Sequence, residues 1–124
     1  MITTQKHLIT YLKAAIHNRK LSASSLSTSA LNQLFLEAKD HSIQGLIYSA
    51  ISDISSLQDI SPDIINTWKK ETFLTGMTQN NHITQMSKVF LKFNQESIPV
   101  IALKGLTLRD LYPKPDLRSM SDAD

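Results

Sequence analysis

The sequence predicts an α+β chain, with a mainly α-helical N-terminal region over residues 1–96 and then the first strand or strands of a sheet over 97–124. Three observations predict it. Apolar residues recur at helical spacing through most of the chain, down to Phe93. The period then changes at Ile98-Pro99-Val100-Ile101-Ala102-Leu103, a short continuous apolar run, β-branched at three positions, which is how a strand buried on both faces reads. Only three Gly and four Pro punctuate the 124 residues, so there are few strong stops along the helical part.

The first helix carries Leu8, Leu12, Ala15 and Ile16 at helical spacing, with Thr3 or Thr4 to cap its first turn. It should end near Arg19-Lys20, where basic side chains suit the negative end of the helix dipole. Residues 22–29 are dense in Ser and Thr, whose hydroxyls compete for backbone hydrogen bonds, so they read as a loop that supplies the next N-cap. Leu31, Leu34, Phe35 and Ala38 then make an i, i+3, i+4, i+7 stripe, and after a break at Asp40-His41-Ser42 a third segment carries Leu46, Ile47, Ala50 and Ile51. These two pair as a helical hairpin. Ser61-Pro62-Asp63 is the clearest helix start: an N-cap hydroxyl, Pro at N1, and an acid in the positive first turn. The apolar face from Ile64 through Trp68, Phe73, Ile83, Met86, Phe90 and Phe93 continues to Gln95, either as one long helix or as two with a break near Thr75-Gly76. In all, four or five helices precede the strand.

Pro99 fits the start of the strand, where no ladder hydrogen bond is needed. Lys104-Gly105 closes it. Leu106 to Tyr112 then has room for two helical turns before Pro113 and Pro115 forbid more.

Composition narrows the function. A net charge of +2, from thirteen Lys/Arg against eleven Asp/Glu and with no long basic run, makes no nucleic-acid stripe. Without cysteine there is no disulfide framework, thiolate metal cage or Cys nucleophile. No apolar stretch approaches the ~20 residues that a bilayer span needs, and the N-terminus lacks a signal-peptide core. A cytoplasmic protein with no membrane partner is expected.

The tail carries the chemistry. In an extended segment residues i and i+2 share a face, so Asp122 and Asp124 would aim two carboxylates at one point. Mg²⁺ takes few protein carboxylates and shares a substrate's phosphate oxygens, so an Asp-x-Asp pair suits phosphate chemistry. Alone, such a pair is most often a solvated turn. Here it closes an ordered series: Leu103-Lys104-Gly105, then Leu111-Tyr112-Pro113, then Arg118-x-Met120-x-Asp122-x-Asp124. Over residues 98–124 this series resembles the uncharacterised nucleotidyltransferase family of the DNA polymerase β-like superfamily. The resemblance implies a nucleotidyltransferase-type mixed sheet and metal-dependent transfer of a nucleotidyl group from a nucleoside triphosphate to an acceptor of unknown identity. It implies Asp122 and Asp124 as catalytic ligands of Mg²⁺ or Mn²⁺, Gly105 as the turn that meets the triphosphate, and Lys104 and Arg118 as phosphate partners. Such a constellation suits the reaction, because charge developing on phosphoryl oxygens is stabilised by metal and basic groups.

The sequence departs from the superfamily pattern in three ways. Leu106 follows Gly105 where a Ser or Gly is usual, Ala123 stands between the acids where a larger apolar residue is expected, and the third carboxylate belongs on a later strand. On that ground the chain reads as a truncated, inactive portion of such an enzyme.

Blander readings apply to most other residues. Trp68, Phe73, Phe90 and Phe93 fit a helical core face better than a base-stacking platform. His7, His17, His41 and His82 are too far apart for local metal spacing. The alternative function is a helical protein-interaction module without catalysis, whose exposed apolar surface would form a homo-oligomer or bind a partner.

Overall fold

The computed structural model describes residues 3–101 and 108–117. Five α-helices run in order: α1 (Thr3–Ile16), α2 (Thr28–Asp40), α3 (Gln44–Ser49), α4 (Ile54–Ile60) and α5 (Pro62–Gln95). Single 3-10 turns follow at Arg109–Leu111 and Pro115–Leu117.

The core gathers the inner stripes of the four shorter helices around the start of α5. In α2 the buried residues are Leu31, Leu34, Phe35 and Ala38, the stripe that the spacing predicts. Ser27 caps this helix by accepting a hydrogen bond from Ala30 N–H at 3.1 Å. In α1, Leu8 and Ala15 are buried as expected, but Tyr11 and Ala14 join them while Ile16 is half exposed. The phenol of Tyr11 remains satisfied because its hydroxyl donates to the Ser22 carbonyl at 2.8 Å. Trp68 is fully buried at the centre, 5.3 Å from the Phe35 ring and 6.1 Å from that of Tyr48, centroid to centroid. Its indole N–H donates to the Gln44 carbonyl, which ties α5 to the start of α3.

α1 stops at Ile16, short of the Arg19-Lys20 expected from charge. The stop is made by the backbone: Arg19 N–H bonds the Ala14 carbonyl and Asn18 N–H that of Ala15, with Asn18 left-handed at φ 54°. This is a Schellman closure, and the same pair of bonds ends α2 at Ser42 and α5 at Ser97.

α4 has no counterpart in the sequence reading. At seven residues with one buried side chain, Leu57, it is too short to show a period. α5 is a single helix of 34 residues, so of the two alternatives the uninterrupted one is observed, and it is about 50 Å long at 1.5 Å per residue. Ser61 stands at its N-cap, yet its hydroxyl shares a 3.1 Å hydrogen bond with Thr28 instead of capping.

The expected sheet is not found: the fold is mainly α-helical, and no strand occurs among the described residues. The only β-type pairing there is an isolated parallel bridge between Leu21 and Ile51, which joins the Ser-rich loop to the link after α3. Residues 98–101 of the expected buried strand have no regular structure, and Ile101 is 81 % exposed. A strand exists only by exchanging hydrogen bonds with a neighbour, and Pro99 also withdraws a donor. Apolar composition by itself supplies neither. Of the two helical turns expected over 106–112, residues 106–107 lie outside the described residues, Leu108 is helical, and a 3-10 turn follows at Arg109–Leu111.

Candidate functional site

Lys104, Gly105, Arg118, Asp122 and Asp124 lie outside the described residues. What the structure places is the segment between them. Residues 108–117 run as a strap onto α3 and α5, with Tyr112 and Leu117 packed against the core. Leu117 N–H bonds the Lys114 carbonyl at 3.0 Å, closing the second 3-10 turn.

Gly45 is where the strap docks. A Cβ built there would stand 3.4 Å from Leu117 Cδ2 and 3.7 Å from Thr72 Cγ2, so α3, α5 and the strap meet over its bare backbone. Thr72 sits flush against α5 because its hydroxyl donates back to the Trp68 carbonyl at 2.9 Å. Beyond this anchor the strap and α5 part to leave an open groove of about 670 Å³. Phe73, Gly76, Met77 and Asn80 form its α5 wall, and Lys114 and Leu117 face them.

This groove corrects the reading of Phe73. Trp68 is core as expected, but Phe73 is 65 % exposed. At 100° per residue, Phe73 lies about 140° around the helix from Trp68, so the angular signal was present in the sequence and the apolar label masked it. The helix runs unbroken through Gly76, and a Cβ there would meet nothing within 4 Å.

Elsewhere the polar groups are structural. The Asp53 carboxylate accepts from Ser22 Oγ at 2.8 Å and Ala23 N–H at 3.0 Å, pinning the loop before α2 to the start of α4. Burial alone would push this carboxyl up, but those hydrogen bonds outweigh it and hold it below the usual carboxylate range. Burial pushes the Tyr11 hydroxyl up, and the nearby Asp53 charge adds to it, so Tyr11 stays a neutral donor. Lys39 pairs with Glu71 at 2.8 Å across α2 and α5. Among the described residues no group of three His, Cys, Asp or Glu could hold a metal. No described helix is long and apolar enough to cross a membrane.

The donor set that the sequence offers in its tail is two carboxylates in a chain without cysteine. Hard oxygen donors of this kind fit Mg²⁺ or Mn²⁺. No curated protein and no solved structure matches the chain. A family model described as an uncharacterised nucleotidyltransferase matches residues 29–124. The matched span runs from the first turn of α2 through α5, the strap and both acids, over three quarters of the sequence. The chain therefore belongs to this family of uncharacterised nucleotidyltransferases.

Proposed function

We propose that this chain binds a nucleoside triphosphate together with a divalent metal, and that residues 97–124 open the catalytic portion while residues 1–96 form its helical partner. In nucleotidyl transfer an acceptor oxygen forms a bond to the α-phosphorus, the bond to the bridging oxygen breaks, and pyrophosphate leaves. Bound Mg²⁺ or Mn²⁺ would neutralise charge on the phosphate oxygens. Asp122 and Asp124 hold that metal. Lys104 and Arg118 take phosphate oxygens, Arg118 with the planar fork that suits two of them. Gly105 lets the backbone approach the triphosphate where a Cβ would intervene. The observation that carries this reading is the family match running through Arg118, Asp122 and Asp124.

The test is calorimetric titration of each nucleoside triphosphate with Mg²⁺ into the chain, beside the Asp122→Asn/Asp124→Asn double variant. Saturable heat with the native chain, abolished in the variant, is the expected result. Equal binding by both would remove the acids from the site, and no Mg²⁺-dependent binding to the native chain would remove the reading.

A second reading, a helical module that assembles with a further copy of itself, is favoured by the apolar side chains exposed at the far end of α5 and beyond. They are Val89, Leu91, Ile98, Val100 and Ile101. Large apolar side chains left exposed in this number are the kind of surface that association covers. A mass that doubles with concentration in light scattering, and reverts in Leu91→Lys, supports it, whereas a constant monomer mass removes it.

A further inference from the structure

We infer that the groove between α5 and the strap is the seat of a nucleobase, with the ring lying over Gly76 beside Phe73 and Met77. This deepens the reading of the chain as a triphosphate binder and rests on it.

Its volume, about 670 Å³, falls within the range of small-molecule sites, roughly 300–1,000 Å³. Phe73 and Met77 are 65 % and 53 % exposed one helical turn apart, an apolar pair left in water. Gly76, which lines the same groove, leaves the helix backbone bare beside them, and nothing occupies the space that its side chain would take. A flat ring can therefore lie against the bare backbone of Gly76 with the phenyl and the thioether beside it, contacts suited to any base because every base has a π-face.

The polar groups fit the same occupant. Asn80, the next exposed residue along this face, carries an acceptor and two donors, the mixed pattern that a base edge presents. Thr72 is committed to the Trp68 carbonyl, so Asn80 is the polar side chain of the α5 wall. Lys114 on the facing wall supplies a positive charge for phosphate. Asp122 comes five positions after Leu117, so covalent geometry alone holds their Cα atoms within about 18 Å. A nucleoside triphosphate can bridge that span from base to metal-bound phosphates.

The test uses nucleosides without phosphate or metal, so it does not depend on the acids. Saturation-transfer NMR with adenosine, guanosine, cytidine and uridine is recorded on the whole chain, on Gly76→Leu and on Phe73→Ala. Leu fills the floor of the groove while favouring the helix over Gly, so Gly76→Leu keeps or raises its melting temperature. The expected result is transfer to at least one nucleoside with the native chain and about tenfold weaker binding in both variants, as loss of a stacking surface predicts. No transfer to any nucleoside, or binding by a folded Gly76→Leu equal to that of the native chain, overturns the inference. Nucleoside binding without Mg²⁺-dependent triphosphate heat would instead overturn the metal-site reading and leave the base seat standing.

Discussion

Asn18, Ser42 and Ser97 hold left-handed backbone angles, φ 54°, 57° and 58°, each one residue past a helix C-cap. Neither of the two described glycines, Gly45 and Gly76, has positive φ, so among the described residues the strain that glycine would avoid is borne by residues with a Cβ. Left-handed backbone costs an L-residue about 1–2 kcal/mol, of which glycine's larger unfolded-state entropy returns part. Ser42→Gly and Ser97→Gly should each stabilise the chain by about 0.5–1 kcal/mol in urea unfolding. Asn18→Gly should gain less, because Asn tolerates this region. Asp53 is the other decisive residue. Its carboxyl is held below the usual range in the folded chain, so its contribution is fully present above the unfolded value and is lost as pH falls through the folded one. Urea melts taken from neutral to acid pH should show the native chain losing its advantage over Asp53→Asn as the carboxylate protonates.

At the scale of the element, α5 divides into a buried start and an exposed remainder. Ile65 and Trp68 face the core, and Gln79 is its only other buried residue. Helical stability in proteins comes mostly from packing, so amide exchange should be slowest around Trp68 and quicken past Gln79. Hydrogen-exchange profiles that are flat along the helix would contradict this. Gly76 lies in helical backbone with open space where a Cβ would go. Gly76→Ala should therefore stabilise the chain by about 0.5–1 kcal/mol, read from the unfolding midpoint. The strap depends instead on Gly45, whose replacement by Leu would drive into Leu117 and Thr72 and should detach residues 108–117.

For the molecule as a whole, cohesion passes through Trp68. It touches the rings of Phe35 and Tyr48, bonds the Gln44 carbonyl and is fully buried. Trp68→Ala should cost about 3–5 kcal/mol in denaturant unfolding, because the cavity opens where α2, α3 and α5 meet. Trp68→Phe should cost less while leaving the Gln44 carbonyl without the indole donor. The two measurements separate ring packing from the hydrogen bond.

The stripe Leu31, Leu34, Phe35 and Ala38, the helix start at Ser61-Pro62 and the Arg-x-Met-x-Asp-x-Asp series were legible in the sequence alone. Each rests on spacing within a few residues, and local spacing is what a linear chain records. The family followed from the same series, and the match over residues 29–124 agrees with it. Tertiary structure decided the rest. Whether 98–101 becomes a strand depends on a partner that no local pattern specifies, and without one among the described residues the run stays irregular. Whether Phe73 is core depends on its angle around α5 and on which side the other helices stand. The groove exists only because Leu117 returns to Gly45 from 72 residues along the chain, a contact set by packing across the fold.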